Sequence, residues 1–243
     1  MTKPTIITIP CLSGAPWDLS TLGPLSDYPL ETLRLSEEHT DIEAHATDVL
    51  DHAQNHDEFI LVGDSFGAQV ALAAAARRPK GLVGLVISGG FAAMPVDSFL
   101  TRMKINAARF LPGPLYRHLV LPMHAKALES RFDAEGDNGW NLEDSIKLFR
   151  DNTTWQGYVR RTQAALGADY SAELENIEVP TLILTPEDDT LIGPDAAAVL
   201  RNGIENSTEV VLEKTGHMFR LSHPTRYSET IRDFFAVEER LAA

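Results

Sequence analysis

The chain has 243 residues, of which 44% are hydrophobic and 23% charged, with a formal net charge of −14. This suits one large α/β domain, or a core domain with an insertion, that buries a sizeable core unaided by disulfides or metal. The negative charge disfavours nucleic acid as a partner, the lone Cys11 excludes an intrachain disulfide, and no run of about 18 apolar residues is present to span a membrane.

Thr5 to Ile9 (TIITI) is rich in β-branched residues, stops at Pro10 and reads as a strand. A Gly/Pro-containing loop runs from Cys11 to about Pro16, and Leu30 to Leu35 reads as a second strand. Asp41 to Gln54 places apolar or small residues at Ile42, Ala46, Val49, Leu50 and Ala53, the spacing of an amphipathic helix. Phe59 to Val62 is a short apolar run ending at Gly63, as expected of a buried parallel strand. An Ala-rich helix follows over Ser65 to Ala76, and Leu82 to Ile87 is the next strand. This alternation predicts a parallel sheet with crossover helices.

The pattern changes at Gly89-Gly90. From about Phe91 to Asp169 only helices are expected, at Val96–Leu111, Leu115–Leu128, Leu142–Asn152 and Thr154–Leu166. This segment carries near-balanced charge, so the acidity belongs to the rest of the chain. Strands resume at Pro180–Thr185 and Glu209–Leu212, with a helix over Pro194–Asn202 between them. The last helix is expected over His223–Glu238, with Ser222 as its cap and Pro224 in its first turn. The amino terminus lacks the apolar length and cleavage site of a signal peptide, so a cytoplasmic location is expected.

Gly63-Asp64-Ser65-Phe66-Gly67 fits G-x-S-x-G, a weak pattern alone but a stronger one between a strand and a helix. In that setting a strained turn presents the serine hydroxyl, small residues fit beside it, and the helix N-terminus helps hold an oxyanion. A serine nucleophile needs a base and the base an orienting acid. His217 lies in the Thr215-Gly216-His217 loop after the last strand, where it can turn toward a nucleophile. His39, His45, His52 and His56 sit on or beside a polar helix surface, and His118 and His124 lie in the inserted segment. Glu187, Asp188 and Asp189 all follow the Pro180–Thr185 strand, and any of them could orient His217. Cys11 has no evident base and is not expected to be a nucleophile. No H-E-x-x-H, clustered His/Cys set, P-loop or G-x-G-x-x-G is present, so neither a metal nor a cofactor is expected.

These stretches, with IITIPCLSGAPWDLSTL, PTLILTPEDDTLIGP and TGHMFRLSHPTRYSETIRDFF, resemble the α/β-hydrolase superfamily, in particular its capped esterases, lactonases and C–C hydrolases. The resemblance implies a mostly parallel six-stranded sheet flanked by helices, starting at the third of the family's usual eight strands. It implies a core of residues 1–90 and 170–243 and a helical cap of 91–169. Against the family pattern, Pro186 takes a usual Gly position, Asp189 the acid position and Pro194 the later Pro, which favours Asp189 over Asp188. The resemblance also gives the Leu12 and Phe66 amides to an oxyanion hole, although Pro10-Cys11 replaces the usual His-Gly and Arg34–Thr40 the usual Gly-rich loop. The implied function is hydrolysis of a small to medium ester or lactone through an acyl-enzyme on Ser65. The partner is then a small molecule enclosed under the cap, with Trp140 and Trp155 as candidate lining. Cleavage of a C–C bond in a diketone, or ligand binding without turnover, are the alternatives.

Overall fold

The computed structural model describes residues 3–96 and 99–242. Six strands, β1 (Thr5–Ile9), β2 (Leu30–Thr32), β3 (Phe59–Asp64), β4 (Leu82–Ser88), β5 (Thr181–Pro186) and β6 (Ser207–Leu212), form one sheet. Their order is β2-β1-β3-β4-β5-β6, and all five pairings are parallel. Parallel strands covered on both faces need apolar residues on both, and β1, β3 and β5 are buried along their whole length. The two-residue period of a strand sorts them. Ile7, Ile9, Leu61 and Ile87 face the helices α1 (Ile42–Ala53), α2 (Phe66–Ala76) and α8 (Pro194–Gly203). Ile6, Ile60, Val62 and Val86 face Trp17 and the long helix α10 (Pro224–Ala242).

Most expected elements form within a residue or two of their expected limits, and α1 starts where Asp41 accepts the Ala44 N–H. Helix α10 runs on to Ala242 rather than Glu238, and strand β2 stops at Thr32 rather than Leu35. Its partner β1 ends against Pro10, which has no N–H to offer, and the chain turns so that Leu35 N–H donates to Gly14 O.

Between β4 and β5 the regular elements described are helical: α3 (Phe99–Ala107), α4 (Gly113–Leu115), α5 (Leu121–Leu128), α6 (Leu142–Asn152) and α7 (Trp155–Gly167). Part of the expected Val96–Leu111 helix falls on residues 97 and 98, outside the described residues. The expected Leu115–Leu128 helix contains a π-helical stretch, Tyr116–Val120, separated from Pro122 by Leu121 alone. Proline cannot donate the usual helical bond, and the wider turn, with Leu121 N–H on Tyr116 O, passes this point. Asn141 and Asp144 close a capping box on α6, and Thr154 caps α7.

Ser222 does not cap the last helix. It lies at the end of a short helix, α9 (Phe219–Ser222), and its hydroxyl donates to Met218 O. Asp137, from the inserted segment, instead accepts the Thr225 N–H in the first turn of α10, and Asp137 N–H donates to Ser222 O. A carboxylate from 88 residues away can do this because a helix leaves its first N–H groups unpaired. Among the described residues, no helix is long and apolar enough to cross a membrane.

Candidate active site

Strand β3 delivers the chain to Ser65, and α2 begins at the next residue. Ser65 itself has φ 54° and ψ −111°, a conformation that an L-residue adopts only under constraint. The constraint is visible on both sides. A Cβ on Gly63 would lie 2.4 Å from Gly67 O, and one on Gly67 would lie 2.3 Å from Ile9 O. Strand and helix therefore approach more closely than any side chain permits, and Ser65 N–H is pinned to Ser88 O at 2.8 Å. The turn pushes the hydroxyl out at the carboxyl ends of the strands, where parallel sheets place their sites.

His217 meets this hydroxyl: its Nε2 is 2.9 Å from Ser65 Oγ. Its Nδ1 is 2.8 Å from Asp189 Oδ2. Asp189 Oδ1 accepts the N–H groups of Leu191 and Ile192, both at 3.0 Å, so the carboxylate is held from both ends. The other two acids of this loop go elsewhere. Asp188 accepts the Ser130 hydroxyl at 2.7 Å, and Glu187 accepts the Lys214 N–H at 2.7 Å. Burial alone would depress the His217 imidazole, but the charge and hydrogen bond of Asp189 outweigh it, and its pKa is raised. Burial alone would raise the Asp189 carboxyl; His217 and the two amides outweigh it and hold its pKa below the ordinary range.

Leu12 and Phe66 both border the cleft beside Ser65. Phe66 opens α2, so its N–H is one that the helix leaves free. Among the described residues, the Leu12 N–H has no protein acceptor. The Leu12 carbonyl is fixed from behind by Arg161 of α7, a fully buried side chain. Arg161 Nε donates to Leu12 O at 2.9 Å, and its terminal nitrogens reach Ser13 O, Ser36 O at 3.1 Å, Thr153 Oγ1 and Glu37 Oε1 at 3.0 Å. One guanidinium thus ties the inserted helices to the loop after β1 and to the segment after β2. Sequence reading missed it because its five acceptors come from three separate stretches of chain.

A second buried pair also escaped the sequence. Asp64, the residue before Ser65, accepts Arg220 Nε at 2.8 Å, and the guanidinium carbon lies 4.1 Å above the Trp17 ring. The pair joins the end of β3 to the segment three residues beyond His217. Cys11 lies near this pair, and burial, followed by the Asp64 charge, pushes its thiol pKa up, away from nucleophilic thiolate.

The cleft above Ser65, counted together with the open solvent at its mouth, takes in about 530 Å³ of empty space. Leu12, Phe91, Met94, Leu128, Phe149 and Met218 make its walls mainly apolar. Trp140 and Trp155 do not line it. They pack against Tyr116, Leu121, Phe149 and Tyr158 among the inserted helices, and Trp140 Nε1 donates to Ser145 Oγ at 2.9 Å. His124, placed by sequence only somewhere in the insertion, faces the cleft, packs edge-on against Phe149 and is held neutral by burial, its pKa lowered to about 4. A hydroxyl, an imidazole and a carboxylate in this order, beside two amides, can make and break acyl bonds.

The chain is 29% identical over 179 residues to a pimeloyl-[acyl-carrier protein] methyl ester esterase of Neisseria meningitidis, covering 72% of this chain and 67% of that protein. It is 34% identical over 80 residues to RutD of Pseudomonas syringae, a candidate carbamate hydrolase, covering 33% of this chain and 31% of the relative's length. Among solved structures, an enol-lactonase from Burkholderia xenovorans superposes with a TM-score of 0.76 at 20% identity, covering 96% of this chain and 91% of that one. A hydrolase from Pseudomonas aeruginosa superposes with a TM-score of 0.79 at 17% identity, covering 96% and 90%. At such identities the superpositions speak to fold alone. The model of the alpha/beta hydrolase family matches residues 9–230, and a match running from the end of β1 into α10, over a sheet of this build, makes the chain a member of that family.

Proposed function

We propose that the protein is a serine hydrolase that cleaves a small to medium carboxylic ester or lactone through an acyl-enzyme on Ser65. The observation that carries this reading is the relay from Ser65 Oγ through His217 to Asp189, with contacts of 2.9 and 2.8 Å. Ser65 Oγ attacks the carbonyl carbon as its proton passes to His217 Nε2. Asp189 holds the imidazole by its Nδ1–H and stabilises the imidazolium. The Leu12 and Phe66 amides hold the developing oxyanion. His217 then gives the proton to the departing alkoxide, which leaves the acyl group on Ser65. A water deprotonated by His217 attacks this acyl group and releases the acid.

The helices between β4 and β5 act as a lid in this reading. Phe149 of α6 and Leu128 of α5 stand over the cleft, and an apolar wall suits an acyl chain while excluding bulk water. The likeness to an esterase at 29% identity favours an ester over other acyl substrates.

The test combines labelling with a substrate panel. A fluorophosphonate should modify Ser65, and Ser65→Ala should abolish turnover of short-chain aryl esters while the protein stays folded. Labelling at Cys11, or undiminished turnover by the variant, would overturn the assignment. A panel on which only diketones are cleaved would move the reaction to C–C hydrolysis. No turnover of any panel member, with ligand still bound, would make the protein a receptor.

A further inference from the structure

The geometry points to a zinc-binding site formed by Glu31, His52 and His56, on the edge of the sheet away from the cleft. Glu31 lies on the edge strand β2, and His52 lies in the last turn of α1 with His56 just beyond it. His52 Nε2 is 2.6 Å and His56 Nε2 3.2 Å from the same oxygen, Glu31 Oε2, and the three ligand atoms all lie within 4.8 Å of one another. Around a tetrahedral zinc with ligands at about 2.0–2.2 Å, neighbouring ligand atoms stand about 3.4 Å apart. The three atoms reach that spacing by small side-chain rotations, which their partial exposure leaves free.

Two further features suit a cation here. The site lies at the carboxyl end of α1, where the helix dipole favours positive charge. The backbone behind the ligand is fixed: Glu31 O accepts the Thr8 hydroxyl at 3.2 Å, and Glu31 pairs with Ile7 in the sheet. Two imidazoles and one carboxylate select zinc or its first-row neighbours over calcium and magnesium, which take oxygen ligands. A fourth position stays open to water. Such an ion would bridge the short strand β2 to the end of α1, a structural staple rather than a catalytic centre. The sequence did not reveal it because Glu31 stands 21 and 25 residues from its two partners.

This inference does not depend on the proposed hydrolase activity. The test is isothermal titration of zinc sulfate into the full chain, purified without a histidine tag and washed with chelator, with thermal melts alongside. One equivalent should bind saturably and raise the melting temperature. Glu31→Gln should weaken binding at least about tenfold, the scale of losing a metal-site contact. His52→Ala with His56→Ala should abolish both effects, whereas Ser65→Ala and His118→Ala should bind zinc as the parent does. Ester turnover should be unchanged at one equivalent of zinc. Absence of saturable binding, or binding that persists in the His52/His56 double variant, would overturn the site. Loss of zinc binding in Ser65→Ala would also overturn it, by placing the ion in the cleft.

Discussion

Arg161→Met would separate the architecture of the proposed oxyanion loop from its chemistry. Methionine keeps much of the side-chain length but removes all five donated hydrogen bonds. The carbonyls of Leu12, Ser13 and Ser36 then lose their shared partner, and Glu37 loses its buried countercharge. Breaking a buried ion pair at one end costs about 3–5 kcal/mol. Here the lower end applies, because Glu37 is about one-third exposed and keeps its bonds to Thr154. The Leu12 N–H belongs to the peptide next to the one whose carbonyl Arg161 holds, and its aim depends on that neighbour staying fixed, so its loss as a donor should lower kcat by about 10²–10³. The assay is kcat on a short-chain aryl ester, measured well below the melting temperature and with circular dichroism confirming a folded protein. Glu37→Gln is the control: it weakens the same network but leaves the guanidinium on Leu12 O, so it should lower the melting temperature with kcat close to the parent's. A folded Arg161→Met protein with parental kcat would refute the reasoning and make the arginine a packing element only.

Asp189→Asn should lower kcat by about four orders of magnitude, because the amide disfavours the His217 tautomer that is the base in the proposed mechanism. Asp188→Asn should change it little, since that side chain bonds Ser130 instead, and steady-state kinetics on the two variants decides. In the proposed mechanism only a neutral His217 imidazole accepts the Ser65 proton, and its pKa is raised, so kcat/KM should fall with decreasing pH through a midpoint above the ordinary histidine value of about 6.5. A midpoint at or below that value would contradict the Asp189 contact. Ser65→Gly should lose turnover yet melt higher, with a gain of about 1 kcal/mol, because glycine accepts the positive φ without strain. A lower melting temperature would show that the serine side chain contributes more than the strain costs.

The sheet, Ser65 and His217 were legible because their signals are local. β-Branched runs mark the strands, the two glycines around Ser65 mark a close strand–helix approach, and His217 stands in a loop of its own. The choice among Glu187, Asp188 and Asp189 was not local: three adjacent carboxylates differ only in direction, and the turn held by Leu191 and Ile192 settles which one meets His217. Arg161, Asp64 with Arg220, and His124 were hidden for the same reason. Each looks like an ordinary polar residue until folding brings a partner from far along the chain. Trp140 and Trp155 failed in the opposite sense, because a large aromatic in a helical segment fits a lid core as readily as a pocket wall.

The pairing of Asp64 with Arg220 has a consequence for the order in which the chain is completed. Everything that bends the backbone at Ser65 lies within the first 90 residues, whereas the guanidinium that neutralises its buried neighbour is 156 residues downstream. As the ribosome delivers the chain from the amino end, β1, β3, α2 and β4 can assemble early, but only with an uncompensated carboxylate at the centre of the emerging sheet. That half-built sheet therefore keeps Asp64 in contact with water until β6 and the segment beyond it arrive. The same late event brings His217 to Ser65, so the nascent chain joins the imidazole to the hydroxyl only when the last quarter of the molecule docks.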